Sequence, residues 1–475
     1  MMLARPRISI LAIALCLSLH VHAQNKQDSI AGSQEISPVE IQAYFSKQPL
    51  LTLTSSAQRL DKSQLSKLQT TTLLPALNSI PGLRMEERSP GSFRLALRGS
   101  MIRSPFGVRN IKIYMDEFPL TDAGGNSYIN LIDPASLAAI DVLKGPDGSL
   151  YGSNSGGVIR MQPKGFDSPE NRSELLLSAG SYGLAQEQLS IQRKVSPNYS
   201  FSIDQSFTRA DGYRENTALN KKTIQTAHQW KYNKSNELRL FAMYADLGYR
   251  TPGGLTLAQY NEDPRMARPA GGPNPGATEQ RAGIYNKTFF AGLAHTAKLT
   301  SKLTHAISVF GSNTDIKNPF ITNYEIRDEK NLGLRSYFSY VDGDNTDFKW
   351  QMQLGFEGQK GWNKIDNYDN DHGVATATQA QDKLDNKQYG LFYRAMAQIH
   401  QRLTIEGSLG LNKSTIQYSQ LFPVLTDGQG TLDFGNIWMP RVASSYLLQE
   451  HIAVRASISK GYSAPTLAEV RSSDN

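Results

Sequence analysis

The feature that most constrains this chain is a period of two. Phe348, Trp350, Met352, Leu354 and Phe356 alternate with Lys349, Gln351, Gln353, Gly355 and Glu357, so an extended segment there has one apolar, aromatic face and one polar face. Similar alternation recurs over residues 199–207, 224–232, 238–244, 303–309, 389–399, 403–411 and 452–458. The connections also alternate: 233–236, 300–302 and 400–402 are tight, whereas 247–283 and 366–386 are long. A soluble β-sandwich must bring its apolar faces together inside. Long strands with aromatics near their ends, joined by loops of alternating length, describe instead a sheet between lipid and water, a membrane barrel.

Composition supports that reading. With 39% hydrophobic and 20% charged residues and a mean hydropathy of −0.42, the 475 residues leave no room for a bundle of apolar spanning helices. The net charge of +7 is spread without a basic block, so nucleic-acid binding has no support. Arg5 and Arg7 precede an apolar run from Ile8 to Leu19, followed by Val21-His22-Ala23; this predicts a signal peptide over residues 1–23, cleaved after Ala23. The run is too short for the ~20 residues of a spanning helix. Leu15 before Cys16 argues against lipid attachment, and loss of Cys16 leaves no thiol for a disulfide, a metal or a nucleophile. Residues 24–36 are polar and unpatterned, a mobile lead-in.

Residues 44–166 have the texture of a small α+β domain. Leu65, Leu68 and Leu73 predict a helix within 60–77, stopped by Ile80-Pro81-Gly82. Strands are expected at 94–99, 111–116 and 141–144, and a second helix is expected over 135–140, capped by Asp133 with Pro134 in its first turn. The segment GPDGSLYGSNSGG at 145–157 lacks the Lys-Ser/Thr pair of a phosphate loop and leads into strand-like Val158 to Met161. Its glycines serve sharp turns against a neighbouring wall. Eight scattered histidines, with no HExxH and no nucleophile elbow, give no catalytic residue, metal site or cofactor. His228 and His305 fall on apolar-face parity, as packing or lipid-interface residues.

Four segments carry a family resemblance: PALNSIPGLRM at 75–85, LALRGS at 95–100, VRNIKIYMDEFPLTD at 108–122 and IDPASLAAIDVLKGPDGSLYGSNSGGVI at 132–159. In this order and spacing they resemble the plug domain of TonB-dependent outer-membrane receptors, and the resemblance continues through the barrel segments. It implies a mainly β chain: a mobile segment over 24–43, a small α+β plug over 44–166, and from 167 to 475 the N-terminal part of an antiparallel transmembrane β-barrel. SKGYSAPTLAEV at 459–470 resembles a landmark found well inside the family's barrel. Roughly thirteen strand candidates against the family's about 22 make the barrel incomplete in this chain.

The resemblance further implies a receptor in the Gram-negative outer membrane that takes up a scarce nutrient, a ferric siderophore foremost. Cobalamin, haem or another metal chelate remain open, as does a passive porin or surface-binding barrel. The expected partners are TonB with its inner-membrane motor complex, the ferric ligand and outer-membrane lipid, with no nucleic acid. Val39, Glu40, Ile41, Gln42 and Ala43 stand where the family has its TonB box, a strand that pairs by its backbone with a partner's sheet edge. Arg98 is expected as a buried plug arginine facing lumen carboxylates, for which parity offers Glu357 and Glu406. Ligand contacts are expected at Arg103, Phe106 and Arg109 in one plug loop, Asn126 and Tyr128 in the next, and Tyr249, Arg250 and Tyr260 in the long barrel loop, since arginines with aromatics suit an anionic, ring-bearing chelate.

Overall fold

The computed structural model describes residues 40–68, 71–99, 107–108, 110–153, 156–166, 170–343, 347–425 and 427–470. The expected signal peptide, the lead-in and Val39 lie outside the described residues, as do Arg103, Phe106 and Arg109.

The chain enters through a small antiparallel hairpin, β1 (Glu40–Ala43) with β2 (Ser46–Pro49). Next come β3 (Ser56–Asp61), β4 (Leu83–Ser89), β5 (Ser92–Leu97), β6 (Gly107–Val108), β7 (Ile111–Met115), β8 (Phe118–Pro119), β9 (Leu137–Lys144) and β10 (Gly157–Pro163). The five-stranded order β3-β9-β10-β7-β8 makes the heart of this domain, and β4-β5-β6 forms a separate three-stranded sheet. Every residue of β7 and β10 is buried. Strands covered on both faces show no polar alternation, which hides them from a period-two search.

The two helices predicted here fare differently. The helix expected within 60–77 is two short ones: Lys62–Leu65, capped by Asp61, which accepts from the Gln64 amide, and Leu74–Asn78. Behind Asp133 only Pro134–Ser136 coils, as a 3-10 turn; residues 137–140 belong to β9 instead. Covered on both sides, the run LAAIDVLK is dictated by its sheet neighbours rather than by Ala propensity.

From Arg172 onward the chain is one 13-stranded antiparallel meander. Its strands are β11 (Arg172–Gly180), β12 (Leu184–Ser196), β13 (Tyr199–Ala210), β14 (Leu219–Trp230), β15 (Asn236–Arg250), β16 (Gly283–Lys298), β17 (Leu303–Pro319), β18 (Asn323–Gly343), β19 (Phe348–Asp371), β20 (Val374–Ile399), β21 (Leu403–Phe422), β22 (Gln429–Gln449) and β23 (Ile452–Ser459). Each pairs with the next, so β11 and β23 are the two edges of the sheet. The alternation is visible in β12, whose Gln186, Gln188, Ser190 and Gln192 are buried against the plug, and in β16, whose Phe289 and Leu293 are exposed on the opposite face. Among the described residues no helix is long and apolar enough to cross a membrane; the crossing is left to strands.

Residues 366–386, expected as a loop, continue β19 and β20 up to a turn at His372 and Gly373. These strands of 24 and 26 residues far exceed the ~9–11 that cross a bilayer. Their polar outer thirds stand clear of it and still make a ladder.

The plug is packed inside the curve of this sheet. Phe118 and Phe166 share one apolar core with Phe241, Met243, Phe290 and Phe310 of β15, β16 and β17. Gly292 makes this seat possible, because a Cβ there would come within 2.5 Å of the Phe118 ring.

Candidate functional site

At the loop end of the barrel, a cavity of about 670 Å³ lies between the plug and strands β15 to β18. Asn126, Tyr128 and Tyr249, three of the residues singled out from sequence, line it. Arg250 does not: its guanidinium donates to the Arg281 carbonyl at 2.6 Å and lies over the Tyr285 ring. Nor does Tyr260, which is exposed on the short helix Leu257–Glu262. Sequence reasoning missed four arginines, Arg88, Arg214, Arg268 and Arg327, and the plug aromatic Phe93. Arg88 stands beside Ser89-Pro90-Gly91, a turn signal that could have marked a plug tip.

Below the cavity floor, the Tyr128 hydroxyl donates to Glu329 at 2.5 Å, and Asp122 accepts from the Gly124 and Asn126 amides. Burial first, and the charge of Glu329 second, push the Asp122 carboxyl up to about 7. The group beneath the cavity can thus carry a proton near neutral pH.

Deeper in the lumen, ion pairs join plug to wall. Glu357 of β19 takes the plug's Lys112 at 2.5 Å and Arg335 of β18 at 3.0 Å, and Arg335 also reaches Glu117 at 3.4 Å. Burial lowers the pKa of the Lys112 ammonium, against the pull of Glu357. Glu406 of β21 pairs with Arg394 at 2.8 Å and with Arg441, and accepts from the plug's Thr54 at 2.8 Å. Arg441 also meets plug Asp147 at 2.9 Å. Burial pushes the Asp147 carboxyl up to about 6, with Arg441 pulling it down and Glu406 pushing it up. On the neighbouring wall Asp116 holds Arg160 and, at 2.7 Å, Arg239 of β15.

Both predicted glutamates are therefore interface anchors, but Arg98 is not their partner. It is exposed, in the left-handed turn after β5 at φ +51°, and the plug cation at Glu357 is Lys112. Lys112 sits in the fully buried β7, where reach through the core, rather than chemical type, decides which cation meets the wall.

The entry hairpin is clamped to the same wall. Ile41 and Ala43 are fully buried, and the turn uses left-handed Tyr44 and Phe45, at φ +52° and +58°. The Tyr44 hydroxyl meets Ser55 and Asp147, its amide donates to the Tyr151 hydroxyl at 3.0 Å, and its carbonyl accepts from Gln353 at 2.8 Å. Arg394 lies 4.4 Å over the Tyr44 ring, and Arg335 lies 4.3 Å over Phe45.

Two family models match the sequence, the TonB-dependent Receptor Plug Domain over residues 49–159 and the TonB dependent receptor-like beta-barrel over residues 196–475. The chain belongs to the TonB-dependent receptors. A receptor of this family sits in the outer membrane of a Gram-negative bacterium, as the sequence led one to expect. The vitamin B12 transporter BtuB of Vibrio vulnificus is 27% identical over 57% of this chain and 42% of its own length. The ferrioxamine receptor of Yersinia enterocolitica is 27% identical over 41% of this chain and 27% of its own. This TonB-dependent receptor chain thus spans less than half the length of these curated relatives.

Among solved structures, the unliganded ferric citrate transporter FecA superposes with a TM-score of 0.75 at 14% identity, covering 89% of this chain and 65% of that one. The ferric yersiniabactin uptake receptor FyuA from Yersinia pestis gives 0.68 at 15%, covering 86% and 65%. At such identities the likeness is one of fold: plug and barrel strands match, and side-chain chemistry is read from this chain alone.

Proposed function

We propose that this chain is the plug and leading barrel portion of a receptor for TonB-energised uptake of a scarce nutrient, a ferric siderophore complex foremost. The cavity at the loop end carries the reading. Its four arginines stand among Tyr128, Tyr249 and Phe93, a lining suited to an anionic chelate that offers rings or carboxylates. Arg327 is partly neutralised by Glu325 at 2.7 Å, and the lining holds four arginines against one glutamate.

The β1 segment around Ile41 is the proposed TonB box. In this reading the partner peels Glu40–Ala43 from β2 and pairs with it by β-augmentation. Lumen pairs such as Lys112–Glu357 then hold the plug until it is pulled. The 27% identity to a vitamin B12 transporter favours one second reading, a cobalamin or other metal-chelate cargo. A passive porin is disfavoured, because the plug fills the curve of the sheet with a continuous core.

The test uses the complete receptor. Growth on single iron sources, with and without a proton-motive force, should show dependence on one ferric chelate and on energy. Ile41→Pro, which removes a ladder amide, should abolish that uptake. Undiminished transport by Ile41→Pro would sink the energised reading, and indifference to every iron source would sink the siderophore assignment alone.

A further inference from the structure

The plug meets the barrel in two different ways. Against β15, β16 and β17 it is held by Phe118 and Phe166 packed on Phe241, Met243, Phe290 and Phe310. Polar contacts occur there too, as between Asp116 and Arg239, but beside a continuous apolar seat. Against β18 to β22 a smaller apolar cluster, the plug's Tyr114, Leu150 and Tyr151 with Tyr337 and Phe392, is flanked by polar contacts: Lys112 with Glu357, Asp147 with Arg441, Ser149 with Ser408 at 2.8 Å, and Ser153 with Gln388. That wall also holds buried polar atoms without hydrogen-bond partners, both amide atoms of Asn412 and Nε of Arg394. Its aromatic patch, Tyr337 and Phe392, is covered by Phe45 of the entry hairpin.

Water treats these two seams oppositely. Parting an apolar seam exposes hydrocarbon in proportion to area, whereas polar atoms parted from one another are rehydrated, and unpartnered ones gain. We propose that the plug hinges on the β15–β17 seat, and that the conduit opens along the β18–β22 wall when Tyr44 and Phe45 are drawn out. Withdrawal uncovers Arg335 and Arg394, now faced by those two rings, and leaves Arg441 without the Tyr44 ring at 5.6 Å. The conduit is thereby lined by three guanidinium groups beside two wall glutamates, Glu357 and Glu406, a net positive surface matched to an anionic cargo. The inference rests on the energised-uptake reading and adds which wall opens.

The experiment places single cysteines in the complete receptor and labels them in cells with a membrane-impermeant sulfonated maleimide. Asn412→Cys reports the polar wall and Met243→Cys the apolar seat, both buried at rest. With proton-motive force and a growth-supporting ferric chelate, Asn412→Cys should label severalfold faster than in uncoupled cells, and Met243→Cys should not change. Ser408→Cys, on the same strand, serves if Asn412→Cys does not insert. Tyr44→Ala with Phe45→Ala should speed labelling of the polar wall even without energy. Equal acceleration at both walls, acceleration at Met243→Cys alone, or none at either while energised uptake proceeds would overturn the hinge. Uptake that ignores the proton-motive force would instead remove the functional reading beneath it.

Discussion

Glu406 shows how much one side chain holds together, since its carboxylate answers Arg394 and Arg441 of the wall and Thr54 of the plug. Glu406→Gln keeps the shape but leaves two buried guanidiniums facing a neutral amide. Breaking such a pair costs about 3–5 kcal/mol, so the thermal midpoint of the complete receptor should fall and the Thr54 region should exchange amide hydrogen faster. Asp122 gives a pH dependence of definite sign. Its folded pKa of about 7 lies above the ordinary carboxylate value, so its contribution is fully present below pH ~4 and is lost as pH rises through 7. Plug docking, followed by hydrogen exchange, should strengthen on acidification from pH 8 to 5, and Asp122→Asn should flatten that slope. An unchanged slope in the variant would assign the proton elsewhere.

The barrel strands were legible as elements because lipid on one side and water on the other write a period of two into each, from Phe348–Phe356 to Ile452–Ile458. Two stretches were misread. The first half of β9, sheathed on both faces, lacks that alternation and was expected as a helix before the strand at 141–144, and the hairpin tip of β19 and β20 has polar residues on both faces and resembles a loop. The site was half-readable for a related reason: parity puts Glu357 and Glu406 on the lumen face, but which plug cation reaches them depends on three-dimensional reach. The hairpin tip also braces the cavity, because the Asn370 amide donates to the Gln280 carbonyl at 3.0 Å and to Phe320. Asn370→Ala should therefore weaken ligand binding by about fivefold, the equivalent of one hydrogen bond of ~1 kcal/mol, while heat-modifiable mobility of the barrel stays unchanged. Weakened mobility would mean that the tip supports the barrel instead.

Across the whole molecule, the plug seats only where the wall lets backbone approach backbone. At Gly410 an added Cβ would lie 2.5 Å from the Ser149 carbonyl oxygen. Gly410→Val should hold the plug off the wall, at the ~1–3 kcal/mol typical of overpacking, and make cells that carry the complete receptor leak a large antibiotic normally kept out. An intact barrier would show that the plug can shift to accommodate the valine. The fold also has a chronology. Arg455 of β23 donates to the carbonyls of Leu50, Leu51 and Leu53, partners 402 to 405 residues away in sequence. Contacts so distant close very large loops, and they cannot form before the strands that supply them exist. The seat of Phe118 on β16 needs far less of the chain, so the body of the plug can settle while the segment behind the entry hairpin still waits for β22 and β23. The stretch behind the entry hairpin is thus stowed later than the body of the plug, and on the proposed energised reading its release on demand requires no part of the fold that formed earlier to be undone.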